Sequence, residues 1–192
     1  MKSISTPFTR ELSGSLQAGD QILLSGTVYT ARDAAHKRLF ELIKRSENLP
    51  LNLSEQIIYY TGPTSASPGR VIGAAGPTTS SRMDKYTPEL ISQTGLTGII
   101  GKGNRSDEVI DAFIKYHCTY FAAVGGAGAL LSQCIKKCEP VLYEDLGPEA
   151  IYKLEVKDFP LIVAIDSRGN NIYLQEPPKY RCDQKITGSV DS

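Results

Sequence analysis

No run of apolar residues in this chain approaches the roughly 20 that cross a bilayer, so no membrane segment is expected. Neither sign of charge prevails, with 21 Lys and Arg against 21 Asp and Glu. A balanced field draws a chain neither to nucleic acid nor to an anionic membrane surface. The first residues, Met-Lys-Ser-Ile-Ser-Thr-Pro-Phe, lack the apolar core of a secretory signal, and a cytoplasmic address is the expectation. Cysteine is scarce. Cys118, Cys134, Cys138 and Cys182 form no C-x-x-C pair, and their number is low for a disulfide scaffold. Cys134 and Cys138 are spaced to share a helix face, which is half a metal site at best. Buried free thiols are the plainer reading, and no metal ligand is expected in this chain.

What is present is an alternation of strand-like and helix-like stretches. A chain of 192 residues suits one domain, expected over residues 1–176, with a polar tail over 177–192. Residues 21–30 are β-branched and apolar with Gly26 inside, a strand with a bulge. A helix is expected from about residue 30, where Ala34, Ala35, Leu39, Leu42 and Ile43 approximate a 3.6 period. Further strands are expected at 56–61, 70–75, 97–100, 119–124, 139–145, 150–156 and 160–167. Helices are expected at 86–93, 107–117 and from about 130 to 137. Alternation of this kind argues for an α/β domain, with a mixed sheet or two sheets and several flanking helices.

Four stretches carry candidate chemistry. In Gly-Pro-Thr-Thr-Ser-Ser-Arg at 76–82, a turn is followed by hydroxyls and a cation. Hydroxyls there cap a helix in the plain reading. Free N–H groups, hydroxyls and Arg82 also suit a carboxylate or phosphate. Arg32 stands at the start of a helix, where a cation opposes the helix dipole. An anion held between Arg32 and the helix start would explain it, and His36 lies four residues on, on the same face. Gly-Lys-Gly-Asn-Arg at 101–105 follows a short buried strand, with Ser106 as the expected cap of the next helix. Gly125 to Gly128 follow another strand, with Glu144 or Asp145 roughly 20 residues on, as dinucleotide sites require. A nucleotide-binding module built on that loop is the rival of another class. Leu131 occupies the third glycine position, which counts against that reading, and close packing of a helix on the sheet is the simpler account of the glycines.

Taken together, Thr-Ala-Arg-Asp-Ala-Ala-His-Lys-Arg at 30–38, Gly-Pro-Thr-Thr-Ser-Ser-Arg-Met at 76–83, Gly-Lys-Gly-Asn-Arg at 101–105 and Ile-Asp-Ser-Arg-Gly-Asn at 165–170 resemble the β subunit of the iron–sulfur hydro-lyases. These are the class I fumarases and L-tartrate dehydratases. The resemblance runs from about Leu12 to Tyr173. It implies a swivelling β/β/α-type domain and reversible addition of water to a dicarboxylate alkene. It implies a [4Fe–4S] cluster held by three cysteines of a separate α subunit, with one iron open as a Lewis acid. This chain would then supply half an active site, in an assembly of two α and two β chains. Motif by motif, Arg32, Arg82 and Lys102 resemble substrate-carboxylate binders. Thr78 resembles a substrate contact that takes part in proton transfer, and His36 an orienting catalytic residue. Fumarate and L-malate are the expected substrates, with L-tartrate as the alternative.

Overall fold

The computed structural model describes residues 1–66, 68–123 and 128–175. In chain order the elements are β1 (Lys2–Ser5), α1 (Arg10–Ser15), β2 (Gln21–Thr30), α2 (Asp33–Lys44), β3 (Ile57–Tyr59), α3 (Thr87–Thr94), β4 (Gly98–Gly101), α4 (Asp107–Tyr116), β5 (Thr119–Ala122), α5 (Gly128–Gln133), β6 (Ile135–Leu142), β7 (Ile151–Ile165) and α6 (Ile172–Gln175). No helix among the described residues is long and apolar enough to cross a membrane.

The strands form one mixed sheet. The pairs β1–β2, β2–β3, β3–β4 and β4–β5 are parallel. Strand β7 runs antiparallel to β2, β5 and β6. Because β7 bonds both β2 and β5, the strands β2, β3, β4, β5 and β7 close into a barrel. Closure removes two sheet edges that would otherwise be open to other chains.

Side chains alternate between the two faces of each strand. Ile22, Leu24, Val28, Ile57, Tyr59, Ile100, Phe121, Leu161 and Val163 fill one face, together with Phe8 and Leu16 from the N-terminal segment. Ile58, Ile99, Tyr120 and Ala164 take the other, under Ala35 and Leu39 of α2, Leu90 and Ile91 of α3, and Val109 and Phe113 of α4. Fully burying each large apolar side chain contributes about 1.5–3 kcal/mol. Helix α2 follows its amphipathic period and carries Asp33 in its first turn and Lys44 in its last, both favourable to the dipole. Helix α3 tolerates Pro88 in its first turn, where no N–H is needed, and ends on Gly95 at φ 70°.

Several sequence expectations change. The bulge in β2 is present, as a register shift between Leu24 and Gly26. Opposite it Asp158, at φ 51°, donates its backbone N–H to Ser25 Oγ at 3.0 Å. That bulge joins the two strands expected at 150–156 and 160–167 into the single long β7. No strand forms at 70–75. The segment instead exchanges two bonds with Thr64, from Thr64 N to Ala74 O at 3.0 Å and from Gly73 N to Thr64 O at 3.1 Å. The helix expected to reach residue 137 stops at Gln133, and residues 135–142 pair with β7, whose edge offers a ladder. Cys134 and Cys138 therefore share no helix face. The N-terminal segment holds β1 and α1, which the polar sequence there did not announce. The expected tail at 177–192 lies outside the described residues.

Candidate active site

Parallel strands β2, β3 and β4 end at one end of the barrel, where ligands of parallel α/β sheets bind. Each strand end delivers one of the sequence motifs. Beyond β3, Tyr60 N still bonds Ile100 O at 2.8 Å, and then the two strands part. The chain at 78–80 inserts between them. Thr78 N donates to Tyr60 O at 2.7 Å on one side. On the other, Thr79 bridges Lys102 in parallel register and Ser80 N donates to Lys102 O at 3.0 Å. Lys102 N returns a bond to Ser80 Oγ at 3.2 Å, and Tyr120 donates its hydroxyl to the same oxygen at 2.9 Å. The added Cβ of any other residue at Gly101 would stand 1.9 Å from Ser80 Oγ, so the insertion requires glycine there.

The hydroxyls of 78–81 thus do a different task from helix capping. Thr79 makes no side-chain cap bond to the 3-10 turn at Ser80–Met83. Ser80 is buried and welds two strand ends together. Thr78 remains partly accessible, and Lys102, paired with the neighbouring Thr79, is exposed.

Arg32 occupies the N-cap of α2 in an extended conformation. Its guanidinium lies on Gly62, where a Cβ would meet Cζ at 2.5 Å and Nε at 2.6 Å. Gly62 follows Thr61, whose Oγ1 donates to Gly76 O at 2.8 Å, so Arg32 is brought to the 76–80 loop. Glu149 faces the same helix start. Its Oε2 accepts from Ala34 N at 2.8 Å and its Oε1 lies 3.4 Å from Arg32 Nη2. Arg82 leans on the next residue, with Nε to Asp33 Oδ1 at 3.2 Å and Nη2 to Asp33 Oδ2 at 2.5 Å. Contacts from strand to strand therefore gather Arg32, Thr78, Arg82 and Lys102 at one end of the barrel. The clefts around Leu49, Leu130 and Pro148 include none of the four.

His36 is placed otherwise. It is 1% exposed, set edge-on to Tyr60 and near the ring of Tyr86. Its Nδ1 is 3.0 Å from the Arg32 carbonyl, which only accepts, so Nδ1 carries the proton. Nε2 has no partner among the described residues. Burial, with the nearby Arg105 cation adding to it, pushes the imidazole pKa down to about 4, against the bond to Arg32 and the charge of Asp33. The sign follows from linkage. Between about 6.5 and about 4 the unfolded chain binds the proton and the native chain does not, so stability falls with pH across that window. Denaturant titrations from pH 7 to pH 4 should lose up to about 3 kcal/mol from this group. The loss should be much shallower in His36→Gln, and an unchanged slope there would refute the assignment.

Sequence reasoning missed Arg105. It is 4% exposed. Nε bonds Asp84 Oδ1 at 2.7 Å and Nη2 bonds Thr87 Oγ1 at 2.9 Å. Its guanidinium carbon lies 5.4, 5.6 and 5.2 Å from the ring centres of Tyr60, Phe113 and Tyr120. Asp84 Oδ2 also accepts from Ser106 N at 2.8 Å. Ser106 stands at the N-cap of α4 but caps with its backbone position only. The signal was the arginine of the Gly-Lys-Gly-Asn-Arg stretch, yet nothing local marked it as buried. The motif at 165–170 is likewise a support. Buried Asp166 accepts from Ala18 N, Arg168 N and Asn170 N, and Asn171 donates to Asn104 Oδ1 at 2.9 Å, tying that loop to the one after Lys102.

A family profile described as Fumarase C-terminus matches residues 3–176. The chain belongs to the fumarase C-terminal family. It is a β-type domain of the class I fumarase and tartrate dehydratase group. The domain is 44% identical over 163 residues to a protein of Methanocaldococcus jannaschii named putative L(+)-tartrate dehydratase subunit beta, covering 82% of this chain and 84% of that one. It is 43% identical over 156 residues to the aerobic class I fumarate hydratase of Salmonella typhimurium, covering 81% of this chain and 27% of that protein. Fumarate hydratase 2 of Leishmania major is 38% identical over 156 residues, with 28% of it covered. The chain thus spans most of the tartrate dehydratase subunit and about a quarter of each fumarase.

Among the described residues the side chains do not fit an iron–sulfur cluster. Cys118 is fully buried, and burial raises its thiol pKa. Cys134 lies in the turn between α5 and β6 and Cys138 lies on β6, and burial raises both thiols as well. Among the described residues no three His, Cys, Asp or Glu side chains gather as metal ligands. Gly125 and Gly126 of the rival nucleotide reading lie outside the described residues. Gly128 packs backbone to backbone, with its carbonyl accepting from Ala75 N at 3.2 Å.

Proposed function

We propose that this chain is the β subunit of an iron–sulfur hydro-lyase that interconverts fumarate and L-malate, assembled with an α subunit that holds the [4Fe–4S] cluster. The observation that carries the reading is the convergence of Arg32, Arg82, Lys102 and Thr78 on one end of the barrel. A four-carbon dicarboxylate needs cations at both ends, and arginine holds a carboxylate with two parallel bonds. Charge that builds next to a carboxylate during proton removal is stabilised by fixed cations. Thr78 contacts the substrate and relays a proton only with help from the α subunit, since an isolated hydroxyl is too weak a base. His36 orients Arg32 through its carbonyl and moves no proton, being neutral and sealed from solvent. Residues 1–176 act as one swivelling β/β/α-type domain that closes over the substrate in a cytoplasmic assembly of two α and two β chains.

A second reading is L-tartrate dehydration. It is favoured by the 44% identity to a subunit of that name, whose length this chain nearly matches. One experiment addresses both readings. The chain is purified alone and with its α partner, then assayed on fumarate, L-malate and L-tartrate. The isolated chain is expected to be inactive and the complex to hydrate fumarate. Preference for tartrate selects the second reading, and a complex inert to all three overturns both. Saturable heat on adding NAD to the isolated chain would favour the nucleotide reading instead.

A further inference from the structure

Resting on the hydro-lyase reading, we propose that Asp33 is a positioning residue that fixes Arg82 by one edge and leaves its other edge for a substrate carboxylate. A guanidinium has five N–H donors in a rigid fork. Asp33 takes Nε–H and one N–H of Nη2, in parallel, at 3.2 and 2.5 Å. The donors left over are those of Nη1 and the second N–H of Nη2. These form the end edge of the fork, which can grip a second carboxylate with two bonds. One arginine therefore serves a permanent carboxylate and a transient one.

The placement of Asp33 makes it a firm anchor. It is the first residue of α2, where a carboxylate is favoured by the helix dipole. Arg82 comes from the 3-10 turn 49 residues away, and its side chain is 53% exposed. An arginine that exposed would sample many rotamers without an anchor. The pair also answers a charge problem. The start of α2 is a positive end, and Arg32 and Arg82 both converge on it. Glu149 offsets Arg32 as Asp33 offsets Arg82. Removing Asp33 leaves the two arginines to repel each other and frees Arg82 to turn away. An ordinary surface ion pair would do none of this and would contribute almost nothing.

The test uses the chain assembled with its α subunit. Asp33→Asn keeps the shape and removes the charge and one edge of the grip. KM for the preferred dicarboxylate should rise about tenfold with kcat within about twofold, because an interaction present in ground and transition states alike is weakened. In an Arg82→Ala background the same change should have no further effect on KM, the two residues acting as one unit. An unchanged KM in Asp33→Asn, or penalties that simply add, overturns the proposal. A second readout needs no turnover. In nitrogen-15 spectra of the isolated chain, the Arg82 Nε–H resonance should be sharp and slowly exchanging, and should broaden away in Asp33→Asn. A resonance already averaged in the wild-type chain overturns the proposal. An inactive wild-type complex with that resonance sharp would strike the hydro-lyase reading and leave the anchoring in place.

Discussion

Arg105→Leu should destabilise the domain by about 3–5 kcal/mol, the usual cost of removing one partner from a buried ion pair. The substitution leaves Asp84, whose side chain is only 15% exposed, without its cation. Thr87 loses a donor, and three aromatic rings lose the guanidinium between them. The melting temperature should drop by roughly 10 °C for a chain of this size. Lysine is not expected to rescue it, since a point charge cannot bond Asp84 and Thr87 from one rigid fork. The double variant Arg105→Leu with Asp84→Leu should recover part of the loss, because no charge is then stranded. Urea titrations of the single and double variants measure this directly. A single variant within about 1 kcal/mol of wild type would mean that the pair is a solvated contact after all.

Arg32→Ala, in the chain assembled with its α subunit, should lower kcat/KM by about 10²- to 10³-fold, the scale seen when a fixed donor facing developing charge is removed. The fold should lose little, because its salt bridge to Glu149 is long at 3.4 Å and its buried Nε makes no hydrogen bond among the described residues. Gly62→Ala reaches the same residue indirectly. The new methyl would overlap the Arg32 guanidinium, with Cζ at 2.5 Å and Nη1 at 2.8 Å. The obstacle is the far end of a flexible side chain, so the chain folds and the guanidinium moves aside. Activity should fall with Gly62→Ala while the melting temperature shifts by only a few degrees. Wild-type kcat/KM in Gly62→Ala would show that the position of Arg32 over Gly62 is not the working one.

Much of the fold was legible because its signals are local. The β-branched run with a glycine announced β2 and its bulge. The period of Ala35 and Leu39 announced α2. The misreadings share one cause. Residues 70–75 look like a strand but bond back to Thr64 in their own loop and to Gly128 instead of joining the sheet. Residues 135–137 look like the end of a helix but meet the long edge of β7. In both places a partner distant from the local pattern overrode it.

The site divides in the same way. The sequence alone determined which residue types stand on turns after β2, β3 and β4, and their motifs were specific enough to indicate the family. Only the tertiary structure decided where each is placed and what it contacts. It threaded residues 78–80 between two parting strands, sealed His36 away from solvent, and buried Arg105 beneath the site. It paired Arg82 with Asp33 across 49 residues and brought Glu149 to the start of α2 across 115. The physical reason is that burial and charge pairing belong to contacts between distant segments. Spacing along the chain carries no information about them until the barrel closes.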